Sequence, residues 1–203
     1  MTSPLIVLAT RNAKKCREMV GLLQPHGIEV RNLDHYPAAP EVEETGTTFA
    51  ANAALKAGQV AAALGTWTLA DDSGLEVDAL DGRPGVYSAR YAGEDADDEQ
   101  NNDLLLKELK EVPAEKRGAR YVSHLALADP AGEIRLSVEE YCRGRILTER
   151  HGEGGFGYDP LFLVPEYHRT FGMIGPALKN VISHRARAFQ QILPRLVRMV
   201  RAS

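Results

Sequence analysis

Apolar and polar positions fall along this chain in blocks that read alternately as strands and helices. Residues 5–9 form a continuous apolar run, the pattern of a strand buried on both faces. A polar turn at 10–15 leads into a helix expected to reach about residue 23 and to close at Pro25 and Gly27. Residues 49–64 are alanine-rich and strongly helical, with Gly65 as the stop. Next, 66–70 reads as a short strand ending at two carboxylates, Asp71 and Asp72, with Ser73 and Gly74 expected to turn the chain. A helix is predicted over 97–109. Strands follow at 119–128 and 134–147, joined by a turn at Asp129, Pro130 and Gly132. A short strand at 161–164 and a helix over 183–200, with Pro194 expected to kink it, complete the reading. The order predicts an α/β fold: a mixed central sheet flanked by helices, without repeats or a dividing linker.

Composition narrows the class. With 203 residues and 44% hydrophobic content, the chain can bury a sizeable core. A formal net charge of -4 gives no overall footprint for nucleic acid, so an anionic ligand must meet a local basic cluster. Two cysteines, Cys16 and Cys142, make no disulfide framework and point to a reducing compartment. The first apolar run is too short for a signal core or a membrane span. A soluble, cytoplasmic protein with no membrane partner is the expectation.

Four polar constellations interrupt the hydrophobic blocks. The first, Thr10, Arg11, Asn12, Ala13, Lys14 and Lys15, lies between a strand and a helix, where backbone N–H groups and helix polarity favour a phosphate. It lacks the glycines of a Walker or dinucleotide turn, and a solvated loop explains it as well. The second, Glu41, Glu43 and Glu44 ahead of the 49–64 helix, is either a capping cluster or a source of one carboxylate that joins Asp72 around a hard cation. Asn52 and Lys56, four residues apart, share a face of that helix. The third, Gly154 to Pro160, surrounds Phe156, Gly157, Tyr158 and Asp159 with mobile glycines, and reads as a turn or a base-stacking loop. In the fourth, Ser183 as a helix cap accounts for itself but not for Lys179, His184 and Arg185 together.

The segments ATRNAKK, EVEETGTTFAANAALKA, LADDSGLEVDALDGRPGVYSARYAG, GGFGYDPLF and KNVISHRARA occur in the order and spacing of the non-standard purine nucleoside triphosphate pyrophosphatases. The resemblance runs from residue 5 to beyond Arg185. It implies a single domain over 1–203 of two lobes with a nucleotide cleft, a homodimer, and hydrolysis of ITP, dITP or XTP to monophosphate and pyrophosphate. It implies a divalent cation, magnesium or manganese, held by Glu43 and Asp72, with Asp72 also the general base. Substrate contacts carried over by position are residues 10–15, Ser73, Phe156, Gly157, Tyr158, Asp159, Lys179, His184 and Arg185. Two departures stand out: Lys14 replaces a glycine common in the family, and 171–176 replaces a more acidic stretch. A nucleotide-binding regulatory module and a metal-dependent phosphomonoesterase are the alternative classes.

Overall fold

The computed structural model describes residues 4–202. Seven strands form one mixed sheet in the order β2-β1-β3-β4-β5-β6-β7. β1 (Leu5–Leu8) runs parallel to β2 (Glu29–Asn32) and to β3 (Thr68–Val77). β4 (Gly118–Ala128) and β5 (Ile134–Ile146) follow, and β6 (Phe162–Val164) pairs antiparallel with β5 and with β7 (Arg169–Thr170). Five α-helices accompany them among the described residues: α1 (Ala13–Leu23), α2 (Phe49–Leu64), α3 (Asp98–Glu108), α4 (Pro176–Ile182) and α5 (His184–Arg201). No described helix is long and apolar enough to cross a membrane.

The described residues divide into two compact units, one of residues 4–72, 123–140 and 185–202, the other of 73–122 and 141–184. In the first unit, strand alternation sorts the core by face. Ile6, Leu8, Leu69, Leu125 and Leu127 pack with Met19 and Leu23 of α1 and with Phe189, Ile192 and Leu196 of α5. Their neighbours Val7, Ala9, Ala70, Ala126 and Ala128 pack instead with Ala53, Ala57, Val60 and Ala61 of α2. Because successive strand residues point to opposite faces, α1 and α5 cover one side of these strands and α2 covers the other. The alanine-rich face of α2 brings its backbone close to the strands, so its polar side chains begin near the sheet. In the second unit, Leu75, Val77, Tyr121, Phe162 and Phe171 pack with Leu105 and Leu109 around α3.

Most boundaries follow the local chemistry. Asn12 caps α1 by accepting from the Lys14 and Lys15 N–H groups, Thr48 caps α2, and Gly65 ends α2 in the left-handed region. An Asp97–Gln100 capping box starts α3. One expectation is corrected and two details are added. The chain does not turn at Ser73 and Gly74; β3 runs straight through both aspartates to Val77. A separate helix, α4, precedes α5, with Ser183 in extended backbone dividing them. α5 continues through Pro194, which lies on its exposed side.

Candidate active site

Asp71 and Asp72 are adjacent mid-strand residues, so β3 must send one to each face. Asp71 continues the Leu69 side and meets α1 and α5. Asp72 continues the Ala70 side and meets α2. Two neighbouring acids thereby acquire opposite environments.

Asp71 is 2% exposed and ringed by donors. Arg185 of α5 donates from Nη2 at 3.0 Å and Nε at 3.3 Å to Oδ2, and Lys15 of α1 lies 3.2 Å from the same oxygen. Ser123 of β4 donates to Oδ1 at 2.6 Å. Glu18, one helical turn beyond Lys15, accepts from Arg185 Nη1. The charges thus alternate: Lys15, Asp71, Arg185, Glu18. Burial alone would raise the Asp71 pKa, but Arg185, then Lys15 and Ser123, hold it well below the usual carboxylate range. Burial lowers the Lys15 pKa, and Asp71 acts against that shift.

Asp72, 6% exposed, has a different balance. Lys56 Nζ donates to Asp72 Oδ1 at 2.7 Å, to Glu44 Oε1 at 2.9 Å and to the Asp71 carbonyl at 3.2 Å. Asn52 Nδ2 lies 3.5 Å from Asp72 Oδ2, while Asn52 Oδ1 accepts the Gly46 N–H at 2.8 Å. Burial pushes the Asp72 pKa up further than Lys56 pulls it down. For Lys56, burial is outweighed by Asp72 and Glu44, and its pKa rises. The acid joined to Asp72 through Lys56 is Glu44, whereas Glu43 is exposed on the same loop.

The chemistry of these donors suits a hard cation. Asp72 and the carboxylates at 43–44 offer oxygen only, and among the described residues no group of three or more His, Cys, Asp or Glu forms a closed metal cage. Magnesium commonly takes one or two carboxylates and completes its shell with water and phosphate oxygens. This oxygen-only, incomplete set therefore fits magnesium better than zinc, which favours four protein nitrogen or sulfur ligands in structural sites.

The basic turn is built around its own cap. Thr10 Oγ1 accepts the Asn12 N–H at 3.1 Å, and Asn12 Oδ1 accepts those of Lys14 and Lys15 at 3.0 Å each. Arg11, Asn12, Ala13 and Lys14 are exposed, while Lys15 leans inward to Asp71.

The second unit carries the aromatic loop. Asp159 Oδ2 accepts the Phe156 N–H at 2.8 Å and pairs with Lys179 Nζ at 2.6 Å. That ammonium lies 4.6 Å from the Phe156 ring centroid, a cation–π contact. The Gly157 carbonyl accepts from Asn102 at 2.9 Å, and Tyr158 is buried with its hydroxyl donating to the Ser88 carbonyl at 2.8 Å. His184 is buried and stacked on Tyr121, their ring centroids 4.7 Å apart at 10°. Ser73 is half-buried on β3. In this loop Phe156 remains partly open, while Tyr158 serves the core.

The geometry therefore gathers Lys15, Asp71 and Arg185 into one cluster, Lys56, Asp72 and Glu44 into a second, and Phe156, Asp159 and Lys179 into a third. The chain matches the Ham1 family model over residues 6–195. It belongs to the Ham1 family. A dITP/XTP pyrophosphatase of Rhodopirellula baltica is 52% identical over 198 residues, covering 98% of this chain and 95% of that protein. One from Desulforamulus reducens is 51% identical over 194 residues, covering 96% of each. The structure of a HAM1 protein from Coxiella burnetii superposes with a TM-score of 0.87 at 38% identity, covering 96% and 98% of the two chains. A nucleoside-triphosphatase / dITP/XTP pyrophosphatase from Mycobacterium abscessus gives 0.75 at 43% identity, covering 94% and 99%.

Sequence reasoning missed three members of these Ham1-family clusters: Asp71 as a hub, Glu18 and Ser123. Glu18 was signalled by its place three residues after Lys15 on one helix. Ser123 was signalled as a hydroxyl beside His124 inside the otherwise apolar 121–128 run.

Proposed function

We propose that this chain hydrolyses non-standard purine nucleoside triphosphates, ITP, dITP and XTP, to the monophosphate and pyrophosphate. The observation that carries the reading is the pair of buried aspartates, each held against a lysine. This places two ammonium groups where phosphates can meet them and a carboxylate where a proton can be accepted. Relatives about half identical over nearly their whole length and named dITP/XTP pyrophosphatase support the same reading.

Phosphoryl substitution asks a protein mainly for positioning and charge stabilisation. Lys15, with the exposed N–H-rich start of α1, supplies positive potential for the phosphates. Lys56 adds charge beside Asp72 and opposes the effect of burial on that carboxylate. Asp72 accepts the proton of the water that attacks the α-phosphorus, and pyrophosphate leaves. Phe156 offers a face to the base, and Lys179 with Asp159 fixes the loop that bears it. Asp72 and Glu43, with Glu44 adjoining, are the residues to hold magnesium, which when bound offsets phosphate charge and acidifies water.

Metal dependence and a homodimeric assembly are part of this proposal. So is a cytoplasmic location, which the buried free thiols of Cys16 and Cys142 support. Hydrolysis of ITP, XTP, dITP, GTP and ATP should be measured side by side, with pyrophosphate and orthophosphate quantified separately. The expected result is pyrophosphate release, fastest for the first three and abolished by EDTA. Orthophosphate as the direct product would favour the phosphomonoesterase class. Tight binding without turnover would favour a regulatory module.

A further inference from the structure

The 43–46 loop that carries the acids and the strand that carries Asp72 come from different parts of the chain. One buried side chain touches both. Asn52, fully buried on the second turn of α2, accepts the Gly46 N–H at 2.8 Å and reaches toward Asp72 Oδ2 with its amide nitrogen at 3.5 Å. Lys56, one turn further along the same face, joins Glu44 to Asp72. We infer that Asn52 is a positioning residue that sets the acidic loop against Asp72 and thereby tunes how tightly the site holds a divalent cation. This rests on the magnesium reading above.

Two observations support this role over that of a polar residue merely satisfied in the core. Asn52 spends its acceptor on the loop and turns its donor toward the carboxylate, so its two ends serve the two halves of the donor set. Gly46 also leaves no room for a side chain: a Cβ there would lie 2.5 Å from Asn52 Oδ1 and 2.7 Å from the Ala51 Cβ. The loop is therefore seated on the asparagine amide itself. Partners that orient metal ligands without touching the metal commonly affect its affinity by roughly 10- to 100-fold when removed.

Asn52→Leu keeps the branched shape with somewhat more bulk and removes both contacts, and Gly46→Ala perturbs the same seat from the loop side. Both should be compared with wild type by calorimetric titration of Mg²⁺ into the substrate-free protein. The magnesium dependence of ITP turnover supplies a second readout, and thermal melting reports the fold. The expected result is metal affinity weakened roughly 10-fold or more. The half-maximal magnesium concentration should rise in step, and kcat should largely recover at saturating magnesium. A merely structural asparagine would lower the melting temperature and leave the magnesium titration unchanged, which would overturn the inference alone. Turnover by wild type in EDTA would overturn the magnesium reading and the inference with it. If Asn52→Leu does not fold, Gly46→Ala decides between the same outcomes.

Discussion

At the scale of single residues, the decisive feature is that the pKa values of two neighbouring aspartates are shifted in opposite directions by their surroundings. Asp71 is ionised, donor-saturated and structural in its contacts. Asp72 is desolvated, with its second oxygen only loosely engaged at 3.5 Å. A group meant to take a proton at neutral pH benefits from that tension, since its pKa is moved toward the working range. Asp72→Asn keeps the shape and removes the charge. Lys56 keeps Glu44 as a counter-charge and the amide oxygen can still accept from it, so the variant should fold and melt close to wild type. Its turnover of ITP should fall by roughly 10²- to 10³-fold or more, the loss typical of a missing electrostatic group in catalysis. Circular dichroism with steady-state kinetics checks both halves, and near-normal kcat in a folded variant would refute the assignment.

Elements explain which residues were legible beforehand. Helices α1, α2 and α3 could be read from the chain because caps, stops and apolar spacing all act within a few residues: Asn12, Thr48 and Asp97 at the starts, Gly65 at one end. The break between α4 and α5 was not legible, because Ser183 suits a helix cap whether or not a helix precedes it. β3 was read too short for a related reason. Asp, Ser and Gly are turn residues by propensity, yet here lysine, arginine and serine partners from other elements stabilise the carboxylates within a strand. The aromatic loop shows the opposite case, since its glycines announced the geometry. Gly155 has φ of +77°, and a Cβ there would collide with the Asp159 carboxylate. Gly155→Ala should strain the backbone by about 1–2 kcal/mol and push Asp159 off the Phe156 N–H and Lys179. We expect KM for ITP to rise markedly while kcat changes less. An unchanged KM would show that the loop does not meet the substrate.

Across the whole chain, the contacts least visible in sequence are those with the longest separation. Arg185 and Asp71 are 114 positions apart, and Arg185 and Glu18 are 167 apart, so no local pattern brings them together. Only the face-sorting of β3, with α1 and α5 on one side, puts Lys15, Glu18, Ser123 and Arg185 around one carboxylate. The arrangement has an energetic consequence. Arg185 is 2% exposed, and both ends of its guanidinium are committed to acids. Removing it leaves Asp71 buried with its main counter-charge gone, and breaking such a pair by deleting one partner typically costs about 3–5 kcal/mol. Arg185→Ala should therefore lower the urea midpoint strongly. Arg185→Lys should recover only part of the loss, because an ammonium lacks the fork that reaches Asp71 and Glu18 together. The double variant Asp71→Ala/Arg185→Ala strands neither charge of the central pair and should be less unstable than the summed single variants, a coupling of about 0.5–3 kcal/mol. Urea unfolding of the four proteins closes this cycle. Strict additivity would mean that Asp71 and Arg185 contribute as independent groups rather than as one network.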